Sequence, residues 1–233
     1  MATKGTTGIS RSLPAFACIV MTAISMLFSP AKAFSITASA GDFPTVEQSR
    51  LLNGEVIVNT TALEDGVTGV IGKIFIDAPP EYIWQTITDY DNQKHFVPKV
   101  IDSGMISDNG NEQVMFETGR TGVLFFRKTV YIKLKVRGER LRRLSFQQLE
   151  GDFKVYQGEW LIENAPNGRG SMLTFRAEIK PGFFAPSFFV RNVQKKDLPM
   201  VLGAMKKHAE SKGAIGKSEK EAVRALLIRE SRS

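Results

Sequence analysis

The chain has 233 residues, a formal net charge of +7 and a single cysteine, Cys18. One cysteine excludes an intrachain disulfide framework and any multi-cysteine metal site. This length suits one domain with a full core more easily than two.

The first 33 residues do not read as fold. Lys4 and Arg11 make a positive start, an apolar run covers 13–28, and Ser29-Pro30-Ala31-Lys32-Ala33 ends in a small-residue cleavage pattern. This is the layout of an export signal, expected to be cut before Phe34. An uncleaved anchor is the alternative, but the run is short of the roughly 20 residues a span needs. Cys18 lies inside the apolar run, so the processed chain has no thiol for catalysis. Removing 1–33 takes away Lys4, Arg11 and Lys32 and no acid, leaving 28 basic against 24 acidic residues. That balance is too mild for a nucleic-acid binder. The expected destination is the periplasm or thylakoid lumen, with a plastid as the alternative.

Residues 34–52 are small, polar and aperiodic, and read as a linker. Strand character begins at 66–77, rich in β-branched residues. Pro79-Pro80 then opens a short helix, where a missing amide hydrogen costs nothing. Ile83, Trp84 and Ile87 give its apolar spacing, and it is expected to end near Tyr90. A polar loop with His95 leads to Phe96 and Pro98.

Strand signals follow at regular intervals. Segment 100–107 runs to Asn109-Gly110, a strong hairpin turn, and 111–118 returns from it. In the next strand Leu124, Phe126, Val130, Ile132, Leu134 and Val136 share one face, while Arg127, Tyr131, Lys133, Lys135 and Arg137 share the other. Strands at 141–149 and 153–163 are separated by Gly151-Asp152. The last strand alternates Leu173, Phe175, Ala177 and Ile179 with polar residues, which requires one buried and one wet face.

After Pro186 the period becomes helical. Phe189, Val193, Val201, Leu202 and Met205 trace an apolar stripe opposite Lys195, Lys196, Lys206 and Lys207. Pro199 is expected to kink or split this helix. Gly213 is expected to close it, leaving 213–233 as a tail with a short separate helix. The order predicts an α+β fold: a twisted antiparallel sheet around a long C-terminal helix, with a short helix pair after the first strand.

Several local motifs carry a family likeness. They are Ala78-Pro79-Pro80-Glu81 with Trp84, Thr88-Asp89-Tyr90, Phe96-Val97-Pro98, Glu150-Gly151-Asp152-Phe153 with Gly158-Glu159-Trp160, Lys180-Pro181 with Pro186, and Lys196-Asp197-Leu198-Pro199. Over 53–212 the chain resembles the START/Bet v 1-like (SRPBCC) superfamily and its helix-grip fold. The resemblance is to the polyketide cyclase/dehydrase or coenzyme-Q-binding START-type branch, and to exported cyanobacterial or plastid-type members. It implies binding of a hydrophobic small molecule or lipid between sheet and C-terminal helix.

The faces expected to point inward are almost wholly apolar, as a ligand cup requires. The candidate lining is Trp84, Tyr90, Phe96, Phe126, Leu134, Phe146, Tyr156, Trp160, Phe175, Phe189 and Met205; the same residues could instead fill a solid core. The mouth is expected at 89–98 with Phe183, Phe184, Phe188 and Phe189. Asp89 and Tyr90 could polarise a bound carbonyl, or simply tie down the loop. Glu150 and Asp152 could form an acid/base pair, though a glycine between two acids is more simply a turn. His95 and His208 lie far apart, so neither a metal set nor a hydrolase triad assembles, and no cofactor is expected.

The basic row Arg127, Lys133, Lys135 and Arg137 is either a solvated sheet face or a patch for anionic lipid, each charge being worth about 1 kcal/mol near such a bilayer. The reading is therefore a monomeric carrier or chaperone of a quinone, carotenoid or other lipid. The alternatives are a cyclase/dehydrase-type enzyme on a polyketide-like substrate and an interaction module with a filled cup.

Overall fold

A computed structural model describes residues 45–110, 112–123 and 126–230. The expected signal at 1–33 and residues 34–44 of the linker lie outside these, as do the expectations for the side chains of Leu124, Phe126 and Arg127.

The chain runs through α1 (Val46–Leu52), β1 (Ile57–Ala62), β2 (Thr68–Ile76), α2 (Pro80–Ile87), α3 (Gln93–Phe96), β3 (Val100–Asp108), β4 (Gln113–Val123), β5 (Phe126–Glu139), β6 (Arg143–Gly151), β7 (Phe153–Asn164), β8 (Ser171–Pro181) and α4 (Ser187–Glu230). The strands make one eight-stranded sheet in the order β1-β2-β8-β7-β6-β5-β4-β3, with every neighbouring pair antiparallel. This is the α+β helix-grip architecture, its long helix last in the chain.

Two elements depart from the reading of 34–52 as linker and of 66–77 as the first strand. Helix α1 occupies the end of that linker. Its Thr45 and Gln48 form a reciprocal capping box, which satisfies two otherwise unpaired amides. Leu51 anchors it in a small cluster with Ile57, Ala165 and Met172. Strand β1 then pairs along β2 at the sheet edge.

The C-terminal helix also differs from expectation. It runs 44 residues as one helix, so it neither splits at Pro199 nor closes at Gly213. Leu198 and Leu202, on either side of the proline, are buried against the sheet and hold both halves in place. That packing offsets the roughly 3 kcal/mol a mid-helix proline costs. Gly213 is no cap. It and Gly216 lie against Tyr82 of α2, where a Cβ at 216 would overlap the phenol.

Burial alternates along β2, with Thr68, Val70, Gly72, Ile74 and Ile76 facing inward. At Gly72 an added Cβ would stand 2.6 Å from Leu198 Cδ2 and 2.9 Å from Leu202 Cδ1. The bare backbone thus lets α4 settle onto β2. Polar clips fix the same end: Lys206 Nζ donates to the Phe75 carbonyl at 3.0 Å, and the Asp77 amide donates to Glu210 at 2.8 Å. Gly72→Val should cost about 1–3 kcal/mol by overpacking, read as a thermal midpoint several degrees lower. An unchanged midpoint would show that α4 does not depend on this close approach.

Candidate functional site

Helix α4 packs on β1 and β2 and only grazes β4. Between its middle and the inner faces of β4–β8 lies a cavity of about 220 Å³. The register explains the lining. Met115, Glu117 and Gly119 of β4 stand opposite Leu134, Ile132 and Val130 of β5, so all six share the inner face. Phe146, Phe153, Tyr156, Trp160 and Phe175 wall the far side, and Leu198, Val201 and Met205 of α4 form the roof.

The far wall is a chain of rings. Trp160 and Phe175 have centroids 4.7 Å apart, Phe146 and Tyr156 5.5 Å, and Phe153 and Tyr156 5.1 Å. Such tilted pairs are favourable geometries for aromatic contacts. Phe153, Tyr156 and Trp160 are only partly buried although they face inward. All three line the cavity.

Of the expected lining, the structure brings together Tyr90, Leu134, Phe146, Tyr156, Trp160, Phe175 and Met205. Trp84, Phe96 and Phe189 are not in the wall. The Trp84 indole lies over Gly138 and Leu144 on the sheet. Phe96 stacks flat on His208, with centroids 4.0 Å apart. Apolar type alone does not separate a residue that faces a void from one that seals it.

Polar groups also line the cavity, among them Gln93, Gln194 and Tyr90. Gln93 of α3 is buried and donates to the Ile87 carbonyl at 3.2 Å. The Tyr90 hydroxyl donates to Gln113 at 3.2 Å, and burial pushes its pKa up, helped by Asp108. Asp89 turns to Asn92 and to Lys212 of α4, at 2.7 and 3.0 Å, and takes no part in the wall. Burial pulls its pKa upward, but these hydrogen bonds outweigh that and hold it below the ordinary value.

The group that the sequence reading missed is Glu117. It has no hydrogen-bond or ion-pair partner among the described residues, and desolvation pushes its pKa up to about 7. Tyr156 is raised in turn, by burial first and then by the Glu117 charge. Val114, Met115 and Phe116 put apolar side chains on both faces of this strand, so alternation does not mark Glu117 as inward. Only the register beyond the Asn109-Gly110 turn could have placed Glu117 inside.

At the rim, the 93–98 segment contributes Gln93, Val97 and Pro98. Lys99, in the left-handed region at φ 69°, offers its carbonyl to the Arg120 amide at 2.8 Å and its ammonium to Asp197 of α4 at 2.6 Å. This ion pair spans the opening from turn to helix. Phe183 lies near Phe153 under the Lys128 ammonium, and Phe184 is 94% exposed beyond it. Both histidines lie off the wall: His95 is exposed, and burial together with Lys212 pushes the pKa of His208 down.

Two other candidate features lie away from the cavity. Asp152 accepts from the Tyr131 amide at 2.8 Å and pairs with Lys128, closing the β6–β7 turn. On the outer face, Arg137 pairs with Glu112 at 2.8 Å, and Lys133 stands 3.9 Å from Glu150. A wider depression of about 660 Å³ crosses this face past Lys135, Arg176, Glu159 and Glu178. Alternating charges line it, as on a solvated sheet face.

Lys99→Gly keeps the left-handed turn, where glycine is unstrained, and removes the ion pair. Such half-exposed pairs contribute about 0–1 kcal/mol. The variant should therefore keep its thermal midpoint and take up an apolar fluorophore faster in stopped flow. Unchanged uptake would show that the pair does not gate the cavity.

Residues 76–206 match the family model for polyketide cyclase/dehydrase and lipid transport. No curated protein sequence matches. Among solved structures, the Thermus thermophilus protein TTHA0849 aligns over 62% of this chain and 98% of its own, at 19% identity and a TM-score of 0.53. A Streptomyces aromatase/cyclase, Zhui, aligns over 62% and 94%, at 13% identity and 0.54. Human STARD10 aligns over 75% and 77%, at 16% identity and 0.54. At these identities the likeness is one of fold. The family-model match spans more than half of the chain, and the protein is a member of the polyketide cyclase/dehydrase and lipid transport family.

Proposed function

We propose that the protein binds and carries a hydrophobic small molecule or lipid, such as a quinone, carotenoid or other isoprenoid, in the cavity between the sheet and α4. The observation that carries this reading is the wall itself: a row of aromatic side chains, three of them only partly buried, lining a cavity under α4. Desolvation of an apolar ligand there contributes about 25 cal/mol per Å² of apolar surface removed from water. The family spans both catalysts and lipid transport. We read transport over catalysis: neither histidine reaches the wall, Asp89 is bound elsewhere, and Glu117, the one unpaired carboxyl in the wall among the described residues, fits a polar anchor.

The volume sets a further condition. About 220 Å³ lies below the usual range of ligand pockets, roughly 300–1,000 Å³. A cavity of this size accommodates a ring or a headgroup, and a longer chain needs the rim to part. Export to the periplasm or thylakoid lumen and action as a monomer belong to the same proposal. So does contact of Lys133, Lys135 and Arg137 with an anionic bilayer, although Glu112 and Glu150 offset two of these charges.

The two tryptophans supply the test, since Trp160 lines the cavity and Trp84 does not. A short-chain quinone should quench the wild type at one equivalent. The quench should persist in Trp84→Phe and shrink sharply in Trp160→Phe, and native mass spectrometry should show a 1:1 adduct. No adduct and no quench would overturn the carrier reading.

A further inference from the structure

The inner face of β4 is apolar at Met115 and bare at Gly119, and between them stands Glu117. A carboxyl at this position costs free energy unless something offsets it. No partner among the described residues does so. Its Oε1 lies 3.8 Å from where a Cβ of Gly119 would be, so the carboxyl leans along the strand over bare backbone. Gly119 in turn adjoins the Lys99 carbonyl at the rim. Tyr156 lines the same void from β7, near enough for the Glu117 charge to raise its pKa.

We propose that Glu117, together with the Tyr156 hydroxyl, anchors a ligand whose one polar end is an uncharged carbonyl oxygen. This deepens the carrier reading and rests on it. Two donors line one cavity, a carboxylic acid and a phenol, and a carbonyl oxygen has two lone pairs to accept them. A cationic end would need the carboxylate form, which the apolar wall disfavours.

The other charged or titratable groups at the cavity leave Glu117 unpaired. Lys99 and Asp197 neutralise each other, Arg120 is exposed at the rim, and the Tyr90 hydroxyl is engaged with Gln113. The carboxyl therefore titrates on its own, and it is neutral below about pH 7. A ligand that accepts from the neutral acid stabilises that form. Affinity is then full below this pH and falls as pH rises through it, by up to about tenfold per unit.

The probes are prodan, a neutral naphthyl ketone, and its ketone-free parent dimethylaminonaphthalene, titrated into the whole protein at pH 5.5 and 8.5. Prodan should bind at least about tenfold more weakly at the higher pH, while the parent binds equally at both. Glu117→Gln, whose amide donates at every pH, should flatten the prodan profile. Tyr156→Phe should weaken prodan at both pH values and leave the parent unchanged. Equal pH profiles for the two probes, or affinity rising with pH, would overturn the anchor and leave the carrier standing. Binding of neither probe at either pH would overturn both.

Discussion

One contact organises the molecule: the seat of α4 on β2, where Gly72 gives way to Leu198 and Leu202. A helix is about 10–12 Å across with its side chains, whereas eight strands at about 4.8 Å spacing make a far wider sheet. A single helix cannot cover that face. Because Gly72 draws it towards β1 and β2, α4 leaves β4–β7 to α2 and to the cavity. The cavity follows from this asymmetry of packing and needs no device of its own.

The side chains around the cavity follow the same logic. Where α4 presses on the sheet, residues are fully buried, as at Ile74, Leu173 and Leu202. Where it lifts away, the inward positions are large rings that meet each other and still leave space. The rim is then closed by a short segment before β3 and by one ion pair to α4. Lys212 and Glu210 fasten the helix further along, to Asp89 and to the Asp77 amide. The grip is thus firm at one end and lightly latched over the cavity.

Much of this was legible in the sequence wherever a local rule and the tertiary structure agree. Alternation placed Leu134, Phe146, Trp160 and Phe175 inward, and the turn at Asn109-Gly110 fell between the strands it joins. Legibility failed where distant contacts decide. Pro199 and Gly213 carry the local chemistry of a helix end, yet packing on β2 and α2 carries the helix through both. Strand β1, with Asn59, Thr60 and Thr61, is too polar to signal itself and is held by β2. The capping box at Thr45 was a readable signal that the surrounding polar residues obscured. Glu117 was hidden by Val114, Met115 and Phe116, which put apolar side chains on both faces of the strand; Phe116 packs over Gly104 at the sheet edge.

A cavity with an aromatic wall, holding one carboxyl with no partner among the described residues, is the core of this account, and the protonation of Glu117 reports on it directly. Infrared spectroscopy can follow the carbonyl stretch of the protonated acid across pH, with the band assigned by its loss in Glu117→Gln. The account predicts a midpoint at about 7. A midpoint near the solvated glutamate value of about 4.3 would mean that water fills the site, and would contradict the account.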